Sequence, residues 1–168
     1  MTIIAWDGAT LAADKAATSV GYRRTVTKLY AVPDGMVAFA GDGDRAMALL
    51  DWFRKGRAQD EYPKFQNDSD TVVDAMFIDW NGVCWAYGKW PYPQRGEDKF
   101  NASGHGRDFA LAAMHLGYSA RIACEVACKL DTYCGNGIDT MTLEDARRVY
   151  PADQAGHVQL PEEAAVQR

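Results

Sequence analysis

The sequence predicts an α+β domain in which antiparallel strands and helices form separate layers. Two observations carry this. Turn signals sit between short apolar runs at three places, and helical periodicity appears at three others, in the order strands, helix, strands, two helices.

The first turn is Asp7-Gly8 in IIAWDGATLAA. The second is Pro33-Asp34-Gly35 in KLYAVPDGMVAFAG, and the third is Asn81-Gly82 in AMFIDWNGVCWAYG. Asn-Gly and Asp-Gly tolerate the positive φ of tight hairpins, and β-branched or aromatic residues flank them. At least six strands follow. Ala46, Met47, Leu49, Leu50 and Phe53 recur at helical spacing within 44–55. Phe109, Ala110, Ala113 and Leu116 do so within 106–116, and Ile122, Ala123, Val126 and Leu130 within 119–130. Gly117 separates the last two helices, and Ser119 is an N-cap for the last. Residues 58–70 and 91–99 read as polar loops, and the tail from Pro151 carries little signal. The chain, 1–168, is expected to be one domain, with 160–168 as a fraying tail. Two sheets faced by helices fit this order, although pattern alone does not require them.

Composition narrows the function. The net charge of -5 argues against a phosphate-tracking surface, so no nucleic-acid partner is expected. No run has membrane-spanning length and no signal peptide precedes the first strand, so the expected location is cytoplasmic, with no membrane partner. Cys84, Cys124, Cys128 and Cys134 lack paired zinc-ligand spacing, and reduced, mostly buried thiols are expected. Neither a metal nor a cofactor is expected.

Thr2 stands directly behind Met1. Removal of the methionine leaves a residue that carries a hydroxyl and a free α-amine, a nucleophile with its own base. By itself the signal is weak, because Met-Thr is a common beginning.

Several motifs in fixed order strengthen it. LAAD followed by Lys15-Ala16-Ala17-Thr18, then T-K-L-Y with Lys28, then VAFAGDGDRA before a helix, and finally SGHGRDFALAAMHLGYSARIACEVACKLDTYCGNGID resemble, in sequence order, the proteasome β-subunits and their bacterial HslV-type relatives. The resemblance runs from Thr2 to about Asp139. It implies the four-layer αββα sandwich of the Ntn hydrolases, and an N-terminal-threonine endopeptidase that assembles into a homo-oligomeric ring. Its substrates would be peptides or unfolded proteins, and an ATPase unfoldase is a partner the resemblance allows.

The resemblance assigns roles residue by residue. Thr2 is the nucleophile, Lys28 the cation beside it, and Asp14 the carboxylate that orients Lys28. The physics agrees. The α-amine is a base only when neutral, and a neighbouring ammonium disfavours a second positive charge. Asp131 is retained, whereas His105 and Cys134 stand where the family has serines; these three complete the catalytic set. A thiol is a weaker hydrogen-bond partner than a hydroxyl, whereas an imidazole can accept or relay a proton. The oxyanion donor is expected at the Ala38 N–H. Thr18 and Ala40 are expected to pair with an extended substrate, and Met36, with Ala17 at the rim, to line an apolar specificity pocket. Two other readings share these residues: an Ntn amidohydrolase acting on a small amide, and a catalytically silent scaffold of the same fold.

Overall fold

The computed structural model describes residues 2–65 and 73–151. The expected fraying tail lies outside them. Two antiparallel sheets form the centre. The first is four-stranded, in the order β10-β1-β2-β11, from β1 (Ile3–Trp6), β2 (Thr10–Asp14), β10 (Asn101–Gly104) and β11 (Ile138–Thr142). The second is five-stranded, running β5 (Leu29–Val32), β6 (Gly35–Gly41), β7 (Val73–Asp79), β8 (Cys84–Tyr87) and β9 (Gln94–Gly96). A separate hairpin, β3 (Ala16–Ser19) and β4 (Tyr22–Thr25), leaves the end of the first sheet.

Three cores bind these layers into an α-β-β-α stack. Between the sheets, Ile4, Trp6, Leu11 and Ala13 meet Met36, Ala38, Met76 and Ile78. The opposite face of the second sheet, through Val37, Phe39 and Phe77, packs on Leu49, Leu50 and Phe53 of α1 (Gly43–Arg54). The outer face of the first, through Ile3, Ala5 and Ala12, packs on α2 (Arg107–His115) and α3 (Ala120–Leu130). Alternate residues of one strand thus serve two different cores, which is why β1 and β6 are apolar throughout.

All three predicted hairpins and all three predicted helices form. Asp42 caps α1 by accepting from the Arg45 N–H at 2.9 Å, and Ser119 caps α3 as expected. Gly117, at φ 95°, ends the turn after α2. Besides β10 and β11, which no sequence signal marks, and β9, which forms inside the expected loop 91–99, two further features had not been read from the sequence. One is the β3–β4 hairpin, whose strands are mostly exposed and show no apolar alternation. The other is α4 (Leu143–Val149), which a full capping box between Thr142 and Asp145 starts directly from β11. The four cysteines are unpaired, and all but Cys128 are buried. Among the described residues, no helix is long and apolar enough to cross a membrane.

Candidate active site

Thr2, Asp14 and Lys28 come from three places in the chain and meet at one end of the inter-sheet core. Thr2 precedes β1, Asp14 ends β2, and Lys28 precedes β5. The Lys28 Nζ donates to Thr2 Oγ1 at 2.7 Å and to Asp14 Oδ1 at 2.7 Å. All three side chains are buried, Asp14 completely.

A buried carboxylate needs several donors to replace its lost hydration. Asp14 has them. Besides Lys28 it accepts from the backbone N–H of Ile3 at 3.1 Å, Ala16 at 3.2 Å and Gly135 at 2.9 Å. One side chain therefore fastens the start of β1, the start of β3 and the segment after α3, and it holds Lys28 against Thr2.

A cleft of about 1020 Å³ opens over this group. Ala17, Thr18 and Arg24 of the β3–β4 hairpin form one wall, and Ala40, Gly41 and the start of α1 form the other. Thr2, Lys28, Tyr30 and Phe39 also line it. Thr18, Ala17 and Ala40, expected to bind substrate, thus line this cleft.

Met36 and Ala38 do not. Both are fully buried in the inter-sheet core, and neither lines the cleft. Ala38 lies between Leu29 of β5 and Met76 of β7, so its backbone is enclosed by the sheet on both edges. The large apolar side chains that line the cleft are instead Phe39, Tyr30 and Met47, with Val26. The backbone edge is also further along β6. The Phe39 N–H donates to the Lys28 carbonyl at 3.0 Å. By the two-residue repeat of a strand, the Gly41 N–H turns to the same edge, past the point where β5 begins its pairing. Gly41 has φ 113°, a conformation that favours glycine, and this glycine was the available signal in the sequence.

A second set lies on the other side of Thr2. The turn Gly104-His105-Gly106 wraps its carbonyl, which accepts from the Gly106 N–H at 3.4 Å. Gly104 has φ 94°, and a Cβ there would stand 2.2 Å from the Thr2 oxygen. Gly104→Ala is accordingly expected to cost on the order of 2 kcal/mol through overpacking and a disfavoured φ. A fall in the urea midpoint checks this; an unchanged midpoint would show that the turn is not clamped on Thr2.

The His105 Nδ1 lies 2.6 Å from Asp131 Oδ2, and the Cys134 thiol lies 3.6 Å from the same oxygen. The Tyr133 N–H donates to Asp131 Oδ1 at 2.9 Å. Burial pushes the Asp131 carboxyl up, but its hydrogen bonds from Tyr133, His105 and Cys134 outweigh this and hold it below its ordinary range. Burial pushes the Cys134 thiol up to about 12, so it stays protonated. Of the six residues expected to be catalytic, Thr2, Lys28 and Asp14 thus form one cluster, and His105, Asp131 and Cys134 a second. Among the described residues no group of acidic, His and Cys side chains could hold a metal ion.

Solved structures share this architecture. BPH from Thiobacillus denitrificans, in complex with epoxomicin, superposes with a TM-score of 0.63 at 19% identity, covering 84% of this chain and 98% of that one. The eukaryotic HslV of Trypanosoma brucei gives 0.62 at 18% identity, covering 83% and 97%. The fold is that of the HslV and proteasome-type threonine peptidases. A second structure of the Thiobacillus protein agrees, with a TM-score of 0.60 at 20% identity over 84% and 97% of the two chains. No protein-family model matches the sequence, and no curated protein matches it. At these identities the likeness establishes the Ntn-hydrolase fold, and the chemistry has to be argued from the site itself.

Proposed function

We propose that the protein is a threonine-type endopeptidase that cleaves peptides or unfolded chains, with Thr2 as nucleophile once Met1 is removed. The observation that carries this reading is the position of the Lys28 ammonium, 2.7 Å from both Thr2 Oγ1 and Asp14 Oδ1 at the floor of a long cleft.

The steps follow from the groups present. The neutral Thr2 amine takes the Oγ proton as Oγ attacks the scissile carbonyl. Lys28 disfavours protonation of the amine beforehand and stabilises negative charge on Oγ as it develops. The carbonyl oxygen becomes an oxyanion that the Gly41 N–H receives. The amine then passes its proton to the leaving nitrogen, the C–N bond breaks, and an ester to Thr2 remains. Water activated by the same amine hydrolyses it and frees Thr2.

The shape of the cleft favours a polypeptide over a small amide. Its walls are the hairpin strand β3 and the end of β6, two backbone edges between which an extended segment can lie. Phe39, Tyr30 and Met47 favour an apolar side chain at the cleavage site. Exposed Leu116, Tyr118, Ile122 and Leu130 on and between α2 and α3 are consistent with assembly into a ring.

The test is direct. Intact mass determines whether Met1 has left, native mass reports assembly, and cleavage of short fluorogenic peptides and unfolded casein reports activity, with Thr2→Ala as control. Epoxomicin, which the Thiobacillus protein binds, is a suitable active-site probe. Mature rings that neither cleave peptides nor react with the probe would defeat the reading.

A further inference from the structure

The β3–β4 hairpin forms one wall of the cleft, yet none of its residues belongs to the three cores. A two-stranded hairpin is marginally stable by itself, so other contacts must hold this one in place. Beyond its base they lead to one segment, 134–136 after α3. The Arg23 Nη2 donates to the Cys134 carbonyl at 2.6 Å, and the Asn136 Nδ2 donates to Thr25 Oγ1 at 3.4 Å.

The strand register gives Arg23 its importance. β3 and β4 pair as Ala16↔Thr25, Ala17↔Arg24 and Thr18↔Arg23. Side chains alternate along a strand. Arg24 lines the cleft, and Arg23 turns the other way, to the 134–136 segment. It therefore grips the hairpin directly opposite Thr18, which lines the cleft where an extended substrate would pair.

The peptide unit that Arg23 holds has a second task. The Cys134 carbonyl and the Gly135 N–H belong to one trans peptide and point in opposite directions. The carbonyl accepts from the Arg23 guanidinium, and the N–H donates to Asp14 Oδ2 at 2.9 Å. This peptide dipole thus lies between a cation and a carboxylate, with both ends matched. From Asp14 the series continues to Lys28 and Thr2 Oγ1. Hydrogen bonds in such a series polarise one another. The fit is also steric. A Cβ on Gly135 would overlap Arg23 Nη2, so the guanidinium lies against bare backbone.

We propose that Arg23 is a positioning residue for the substrate: through the Cys134–Gly135 peptide it braces the β3–β4 hairpin against the Asp14 anchor, and so sets the distance between the Thr18 edge and Thr2. The proposal rests on the reading of the cleft as a peptide site. Arg23 does not line the cleft, so it acts on how an extended chain is held and not on the chemical step. All of β4 is exposed, so the effect falls on the hairpin and not on global stability. Contacts along the hairpin place a peptide correctly over Thr2 only while the hairpin itself is fixed.

The experiment uses the mature full-length chain, Arg23→Ala and Arg23→Lys. Steady-state cleavage is measured on a fluorogenic tetrapeptide amide, and hydrogen exchange of the amides in 16–25 is followed without substrate. Arg23→Ala should raise KM about 5- to 10-fold, the effect of one hydrogen bond from a charged group, with little change in kcat. Its hairpin amides should exchange faster, while β1 and β2 stay protected. Arg23→Lys, which keeps a cationic donor for the Cys134 carbonyl, should recover most of both effects. A fall in kcat at unchanged KM, or hairpin exchange as slow as in the wild type, would overturn the proposal. Loss of protection throughout the first sheet in both variants would overturn it too, because Arg23 would then be an anchor of the whole fold. A wild type that cleaves no peptide, together with faster hairpin exchange in Arg23→Ala, would sink the peptidase reading and still bear out the brace.

Discussion

Thr2→Ala is expected to lower peptide cleavage by on the order of 10³-fold or more, since the nucleophile and its base act as one unit and removing either disables both. The variant should still fold. Thr2 lies at the edge of β1, and alanine keeps its Cβ while losing Oγ1 and the Cγ2 methyl. Lys28 keeps its 2.7 Å contact with Asp14 when Oγ1 is gone. The loss is therefore one hydrogen bond to a charged donor and one methyl group, roughly 1–3 kcal/mol of stability. Thr2→Ser supplies the opposite control, because it keeps both the hydroxyl and the amine. It should retain measurable turnover, with a lower rate where the missing methyl leaves the side chain free to rotate. Equal rates for wild type and Thr2→Ala, in preparations shown by mass to lack Met1, would rule out Thr2 as nucleophile.

The second large effect belongs to Asp14, and it separates fold from chemistry. Asp14→Ala leaves Lys28 as an uncompensated cation inside the protein and strips the acceptor from the N–H groups of Ile3, Ala16 and Gly135. Breaking a buried pair on one side costs about 3–5 kcal/mol. For a chain of this size that corresponds to a fall in Tm on the order of 10 °C. Lys28→Met should behave differently. The carboxylate keeps its three backbone donors, so the stability loss is smaller, while the cation beside Thr2 is gone and activity falls as in Asp14→Ala. Urea titration of both variants, with peptide cleavage measured alongside, gives the ordering: Asp14→Ala the less stable, the two about equally inactive. If Lys28→Met proved the less stable of the two, Asp14 would not be the anchor described above.

The parts of the site legible in the sequence were those marked by local chemistry. Thr2, Asp14 and Lys28 sit in short motifs whose order could be compared with a known family, and the structure brings all three within hydrogen-bond reach. The substrate wall was read less well, with Met36 and Ala38 assigned where Phe39 and Gly41 stand. Strand β6 is buried along nearly its whole length, so its two faces carry no polar-apolar alternation by which to phase it. The phase emerges only when Leu29 and Met76 are placed on either side of Ala38. The β3–β4 hairpin escaped for the reverse reason, since its mostly exposed strands need no apolar pattern at all.

By itself, the sequence determined the layered α+β class, the three tight hairpins, the three main helices with the Ser119 cap, and the residues able to do chemistry. Each of these depends on contacts within a few positions of the chain, which turn propensity and periodicity record. Only the tertiary structure decided that Asp14 is a four-donor anchor, that His105 and Asp131 form a pair 2.6 Å apart, and that Gly41 rather than Ala38 faces the cleft. These relations join residues far apart along the chain, such as Asp14 with Gly135 and His105 with Asp131. Such pairings are set by how two sheets and their helices pack, and no local pattern encodes that geometry.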